Sequence, residues 1–354
     1  MRLIFVLTLV LLYCQQASSA ILYEESFDAQ ADWEPIQPTS ANTALAYYNG
    51  EASIPDNFHN YRVDNTVYGA NNSHQTLNIS NENYRGTSGK GLTVWHESGE
   101  TSCGGGAHYC SDGILSLYLP SGYSEMWVQF YMKWDTSYSM ALTNSVDPQV
   151  KTFRITHWDE SAGISPFTFF DAGAQRPINN AQIAAWNGGN ANYSHFTAFR
   201  YENTYYPDNA TPPHVRNRSD YYSDGGQYDG TGPAFNDPGE PGDGSWHKYV
   251  YHVKMNSAVG VADGVSETWV DGRLLFSDST LAWSDSGSVA SPRKNWNMVM
   301  FGGNSFNEFD PVFTNYSEQY YAFDDICVAT TEADLAGCFG GKTYHTNGSM
   351  PLLN

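Results

Sequence analysis

The feature that most restricts the fold is the alternation from Glu125 to Trp134. Met126, Val128, Phe130, Met132 and Trp134 fall on one side of an extended chain, and Glu125, Trp127, Gln129, Tyr131 and Lys133 on the other. A period of two is a strand signal, and a strand with one wholly apolar side must lie on a sheet packed over a core. Val150–Trp158 repeats the scheme: Phe153 and Ile155 face inward, while Thr152, Arg154, Thr156 and Trp158 face the other way. Trp246–Met255 sends Tyr249, Tyr251, Val253 and Met255 inward and Lys248, Val250, His252 and Lys254 outward. Glu267–Phe276 reads as a hairpin turning at Asp271-Gly272, a strong two-residue turn signal. Asn297–Phe301 and Tyr320–Val328 are further strands. Only Ala181–Trp186 and Glu332–Gly337 suggest short helices. Aromatic residues make up 15% of the chain, with 25 tyrosines, against 16% charged residues. That balance favours strands and turns. The expectation is all-β.

Met1–Arg2, the apolar run Leu3–Tyr13 and the small residues Ser18-Ser19-Ala20 have the layout of a secretory signal peptide, with cleavage expected after Ala20. No later stretch is apolar for long enough to span a bilayer. Residues 21–340 read as one domain with long insertions, and 341–354 as a flexible tail. The segment Asn203–Ser245 is rich in Asp, Gly, Pro, Asn and Tyr; a loop of such length is usually functional or mobile. Four cysteines follow the cleavage point: Cys103, Cys110, Cys327 and Cys338. In an exported protein an even count suggests disulfides, with three possible connectivities; the local pairs Cys103–Cys110 and Cys327–Cys338 need the least chain rearrangement. Zinc is the alternative, but no spacing is CxxC.

A net charge of −21 argues against nucleic acid or an anionic membrane as a partner of the whole surface. The charge is uneven. Lys151–Arg218 holds six basic residues against five acidic, or +1, so the rest of the chain carries −22. Either the acidic residues crowd the outer loops for solubility, or the middle of the chain lines a surface for something negative.

The phrases Tyr23-Glu24-Glu25-Ser26-Phe27-Asp28, Trp246-His247-Lys248 … Glu267-Thr268-Trp269-Val270-Asp271-Gly272 and Phe323-Asp324-Asp325-Ile326 resemble, in this order, the concanavalin A-like lectin/glucanase superfamily. Within it the chain looks like the jelly-roll polysaccharide lyases and their uncharacterised secreted relatives. The resemblance implies a sandwich of two antiparallel sheets, one curved around a glycan groove. Trp127, Gln129, Tyr131, Lys133, Thr152, Arg154, Thr156 and Trp158 would share that face, joined by Lys248 and His252. The strict lyase signatures, an Arg-Ser-Glu strand or a Gln-Ile-His triplet, are absent.

Retaining glycoside hydrolysis needs two carboxylates roughly 5 Å apart across the scissile bond. The Glu-x-Asp-x-x-Glu phrase that supplies them is missing. β-Elimination on a uronic acid needs a cation or amide to neutralise the carboxylate, and a Tyr or His to take the C5 proton. Tyr131, Arg154 and His252 are the catalytic candidates, and Trp127, Gln129, Lys133, Trp158 and Lys248 the substrate-binding ones. The expected activity is a lyase on an acidic, uronate-containing polysaccharide; the alternative is a non-catalytic carbohydrate-binding or cell-surface protein. Glu25, Asp28, Asp324 and Asp325 would meet if the first and last strands are neighbours, and hard oxygens from two chain ends suit a structural Ca²⁺.

Overall fold

The computed structural model describes residues 20–35, 48–49, 54–63, 75–96, 110–136, 138, 149–162, 166–167, 170–171, 174–175, 177–186, 192–200, 242–281, 283, 295–306 and 319–341. Among them the strands run in chain order as β1 (Ile21–Glu25), β2 (Tyr48–Asn49), β3 (Asn60–Val63), β4 (Leu77–Ser80), β5 (Gly91–His96), β6 (Cys110–Tyr123), β7 (Glu125–Trp134), β8 (Gln149–Thr156) and β9 (Phe170–Asp171). They continue as β10 (Ala174–Gln175), β11 (Ile178–Trp186), β12 (Asn192–Arg200), β13 (Trp246–Lys254), β14 (Gly264–Val270), β15 (Arg273–Leu281), β16 (Trp296–Phe306) and β17 (Gln319–Ala329). One sheet has the order β15-β14-β13-β7-β17-β5-β4, with β1 also on β17; the second runs β12-β11-β8-β16-β6-β3-β2. The pairings within both are antiparallel. This is the expected all-β architecture, a jelly-roll sandwich of two antiparallel sheets.

The core lies between the sheets and is built by the alternation seen in the sequence. Met126, Val128, Phe130, Met132 and Trp134 of β7 are buried with Tyr249, Tyr251 and Val253 of β13. Phe153 and Ile155 of β8 meet them from the second sheet. The rings of Phe130 and Phe153 lie 4.8 Å apart, and those of Phe153 and Tyr251 4.6 Å apart. Each such ring adds about 2–3 kcal/mol by leaving water. The hairpin turns at Asp271 and Gly272, both with positive φ (50° and 80°), the turn whose twist matches its flanking strands. Nothing lies within 4 Å of a Cβ placed on Gly272, so that glycine serves backbone conformation and not space.

Two expectations need correction. Ala181–Trp186 is not helical; it lies inside β11, paired with β12 on one side and, through Ala184, with β8 on the other. An alanine-rich stretch prefers helix only weakly, and two ladders override that preference. The strand expected over Val150–Trp158 stops at Thr156. Trp158 stands beyond it, its main chain bonded in both directions by the Asn297 side chain (2.7 and 2.8 Å).

The Glu332–Gly337 helix is present as α1 (Glu332–Leu335), capped by the Thr331 side chain, which accepts from the Asp334 N–H. Cys327 is bonded to Cys338, Cα atoms 6.3 Å apart. The signal segment before Ala20, the Cys103–Cys110 pairing, most of the Asn203–Ser245 loop and the tail from 342 lie outside the described residues. No helix among those residues is long and apolar enough to cross a membrane.

Candidate functional site

Alternation says which side of its own sheet a residue occupies, not which sheet. β7 and β8 belong to opposite sheets, so their outward side chains point away from each other. The single face expected for Trp127, Gln129, Tyr131, Lys133, Lys248, His252, Arg154 and Trp158 is therefore two faces. The first six share the outer side of the eight-stranded sheet. Arg154 lies on the outer side of the seven-stranded sheet, and Trp158 packs over that same side.

On the eight-stranded sheet the polar groups answer one another. The His252 ring stacks on Trp127 (centroids 3.9 Å, planes 11° apart), and Trp269 stacks on Trp127 at 5.6 Å. His252 Nδ1 lies 2.8 Å from a Glu267 carboxyl oxygen and Nε2 2.9 Å from one of Glu125. Both ring nitrogens of His252 are thus engaged by protein carboxyl groups, and neither is turned toward a substrate. The His252 hydrogen bond, aided by Lys254 and opposed by burial, holds the Glu125 carboxyl down at about 2. Trp127, 8% exposed, packs against Cys327, Ala329, Leu335 and Cys338, so α1 and the disulfide close this end.

The other end is covered by the loop between β4 and β5. The Arg85 guanidinium lies 3.6 Å over the Tyr131 ring. Burial raises the Tyr131 pKa, and Arg85 works against it. Lys133 donates to Asn83 (2.9 Å) and sits above the Trp246 and Tyr320 rings; burial lowers its pKa, as it does for Lys248. Gln129 is buried beside Cys327, and its Oε1 has no hydrogen-bond partner among the described residues. His247 donates to Asp271 (2.6 Å) and Asp243 (2.9 Å); burial opposes its charge, but the two carboxylates prevail and lift it to about 9. It ties the hairpin turn to β13.

β1 does pair with β17, which brings Glu25, Asp28, Asp324 and Asp325 to one junction. Each carboxylate is engaged by protein donors. Glu25 accepts from Gln30 (2.6 Å) and the Phe27 N–H (2.5 Å), and Asp28 from the Lys90 N–H (3.1 Å). Asp324 accepts from the Arg85 N–H (2.7 Å), and Asp325 pairs with the Arg85 side chain (2.5 Å). Burial, then Asp325, pushes the Asp324 carboxyl up to about 8. Among the described residues no three His, Cys, Asp or Glu side chains converge as metal ligands.

The outer side of the seven-stranded sheet is organised around Arg154, which is 4% exposed. The register aligns Asn60, Ser116, Met300, Arg154 and Asn180 in one row across β3, β6, β16, β8 and β11. The β8–β11 register then slips between Ala181 and Gln182, so Gln182 pairs with Lys151. Thr152 and Thr156 donate to the carbonyls of Ala181 (3.4 Å) and Pro177 (2.9 Å), fixing β8 against β11 on either side of Arg154. Trp158, 1% exposed, is no platform for a sugar: it packs against Tyr118 and His59 (centroids 5.1 and 5.4 Å) and with Ile114, Phe167, Met298 and Met300. Burial lowers the His59 pKa against the pull of Glu160, and raises that of Tyr118.

Sequence reasoning missed Arg85, Asn180 and Gln182. Asn180 and Gln182 were visible as alternate polar positions in Ile178-Asn179-Asn180-Ala181-Gln182-Ile183. Arg85, in a loop, carried no pattern.

No family model matches the chain, and no curated protein does. Among solved structures it is similar to a variant of alginate lyase Aly36B in complex with alginate tetrasaccharide (13% identity, 81% of this chain and 97% of that one, TM-score 0.44). It is also similar to an endo-β-1,4-glucuronan lyase from the fungus Trichoderma reesei (13% identity, 89% and 98%, TM-score 0.39). A third is a glycosyl hydrolase family protein from Mycobacterium fortuitum (10% identity, 87% and 99%, TM-score 0.34). The sandwich is defined by its own two sheets; likenesses at this level decide nothing about its chemistry.

Proposed function

We propose that this protein is an exported lyase that handles an acidic, uronate-containing polysaccharide on the outer side of the seven-stranded sheet. The observation that carries the reading is where the locally basic middle of the chain goes. Lys151–Arg218, at +1 in a chain of −21, contributes most of β8 and all of β11 and β12, three adjoining strands of that one sheet, and Lys151, Arg154 and Arg200 of its six basic residues lie on them. A polyanion repelled elsewhere would meet its weakest repulsion there. On those strands Arg154 stands opposite Asn180, and Lys151 opposite Gln182. Guanidinium and amide groups are what β-elimination requires to neutralise a uronate carboxylate and stabilise the enolate that forms as the C5 proton leaves. Tyr131 and His252 have no part in this step, since they lie on the opposite sheet.

The test is incubation with a panel of purified uronate polymers, followed by ultraviolet absorbance of the unsaturated product. A rise with at least one polymer, lost in Arg154→Gln, is expected. Retention of a polymer without any rise would replace the lyase with a binding protein. Neither retention nor turnover on any acidic polymer would end the reading.

A further inference from the structure

We propose that the Arg85 guanidinium, rather than a calcium ion, is the cation that holds the junction of the first and last strands together. Strand β1 lies against β17 with Glu25 opposite Ile326, and Glu25, Asp324 and Asp325 are all buried there. Carboxyl groups in such a place need hydrogen-bond partners, and one that is ionised needs a cation as well. The register of β17 against β7 slips between Asp324 and Cys327, and Asp325 takes a positive φ of 47° within that bulge. A bulge re-aims side chains out of the regular alternation. Here the carboxyl it carries meets Arg85, delivered by the loop between β4 and β5.

The contact has the features of a built cation site. Arg85 Nη1 lies 2.5 Å from Asp325 Oδ2, with side chains only 7% and 4% exposed. The main-chain N–H of the same residue donates to Asp324 Oδ2 at 2.7 Å, so one residue serves both carboxyl groups. The flat guanidinium rests 3.6 Å over the Tyr131 ring, which fixes its plane. Guanidinium is weakly hydrated and stacks well, so it tolerates this burial better than an ammonium would. The remaining acids are met by neutral donors: Glu25 by Gln30 and the Phe27 N–H, Asp28 by the Lys90 N–H. Calcium asks for six to eight oxygens at about 2.3–2.6 Å. These oxygens face N–H groups instead.

The test combines calcium content with melting. The parent chain is purified with calcium present, desalted, and submitted to elemental analysis; it is then melted with added calcium and with chelator. No bound calcium and a single melting temperature under both conditions are expected. Arg85→Gln should melt about 5–10 °C lower, because it strands Asp325 in a buried site. Adding Asp325→Asn to that variant should recover part of the loss, since both partners are then gone. One calcium per chain, or a drop of several degrees on chelation, would overturn the proposal. So would an Arg85→Gln variant that melts with the parent. The calcium measurements use the parent chain alone and decide the matter even where Arg85→Gln does not fold.

Discussion

The two outer faces of the sandwich start from the same kind of sequence, an alternating strand with aromatic and cationic residues on its outward side, and they end differently. On the eight-stranded sheet His252 is spent between Glu125 and Glu267, Arg85 on Asp325, and Lys133 on Asn83, while α1 and the disulfide close over Trp127. On the seven-stranded sheet Lys151 donates to Asn304, and Arg154 stands in mid-row opposite Asn180. A face whose charges are matched by one another is stabilising the fold. The other face is built in good part from the Lys151–Arg218 segment, +1 in a chain of −21, and it is there that we place a foreign anion.

The largest expected effect lies on the Arg154 side. Asn180→Ala and Gln182→Ala should each lower kcat/KM on the responsive uronate polymer by about tenfold to a hundredfold, with melting temperatures close to the parent. If both variants turn over normally, the carboxylate is neutralised elsewhere. On the opposite face, His252→Ala should cost about 3 kcal/mol in denaturant unfolding, because Glu125 and Glu267 lose their shared partner; kcat per folded molecule should not change. A loss of turnover exceeding the loss of folded protein would blur the division between the faces.

Replacing Cys327 and Cys338 together by serine should cost about 2–3 kcal/mol, the closure entropy of a short loop, and leave turnover intact. The smallest effect is in pH. The folded pKa of His247, about 9, lies above its ordinary 6.5, so its contribution is complete below 6.5 and fades as pH rises through 9. For Glu125 the folded value of about 2 lies below 4.5, so its contribution is present above 4.5 and is lost as pH falls through 2. Melting temperature should decline toward both ends, and His247→Gln should flatten the alkaline limb alone. An unchanged limb would remove His247 from the account.

Much of this fold is legible in the sequence because its strands are half-buried. Phe130, Phe153 and Tyr251 announce a core, and Asp271-Gly272 fixes a turn by local chemistry. The partition of the site is not legible in the same way. Period-two alternation places Tyr131 and Arg154 away from the core but is silent on neighbours. Those are set by pairings across long stretches of chain, β7 with β13 and β17, β8 with β16 and β11. His252 looked like a proton acceptor until its two carboxylates came into view, one of them 127 residues away.

The most direct measurement is a side-by-side assay of Arg154→Gln and Tyr131→Phe on the uronate polymer that gives the strongest absorbance rise, with melting curves to confirm that both are folded. The account predicts that Arg154→Gln loses at least about a hundredfold in turnover, while Tyr131→Phe stays within about twofold of the parent, a phenol outside the site contributing little to kcat. The reverse order, with Tyr131→Phe inactive and Arg154→Gln active, would move the chemistry to the eight-stranded sheet and contradict the account.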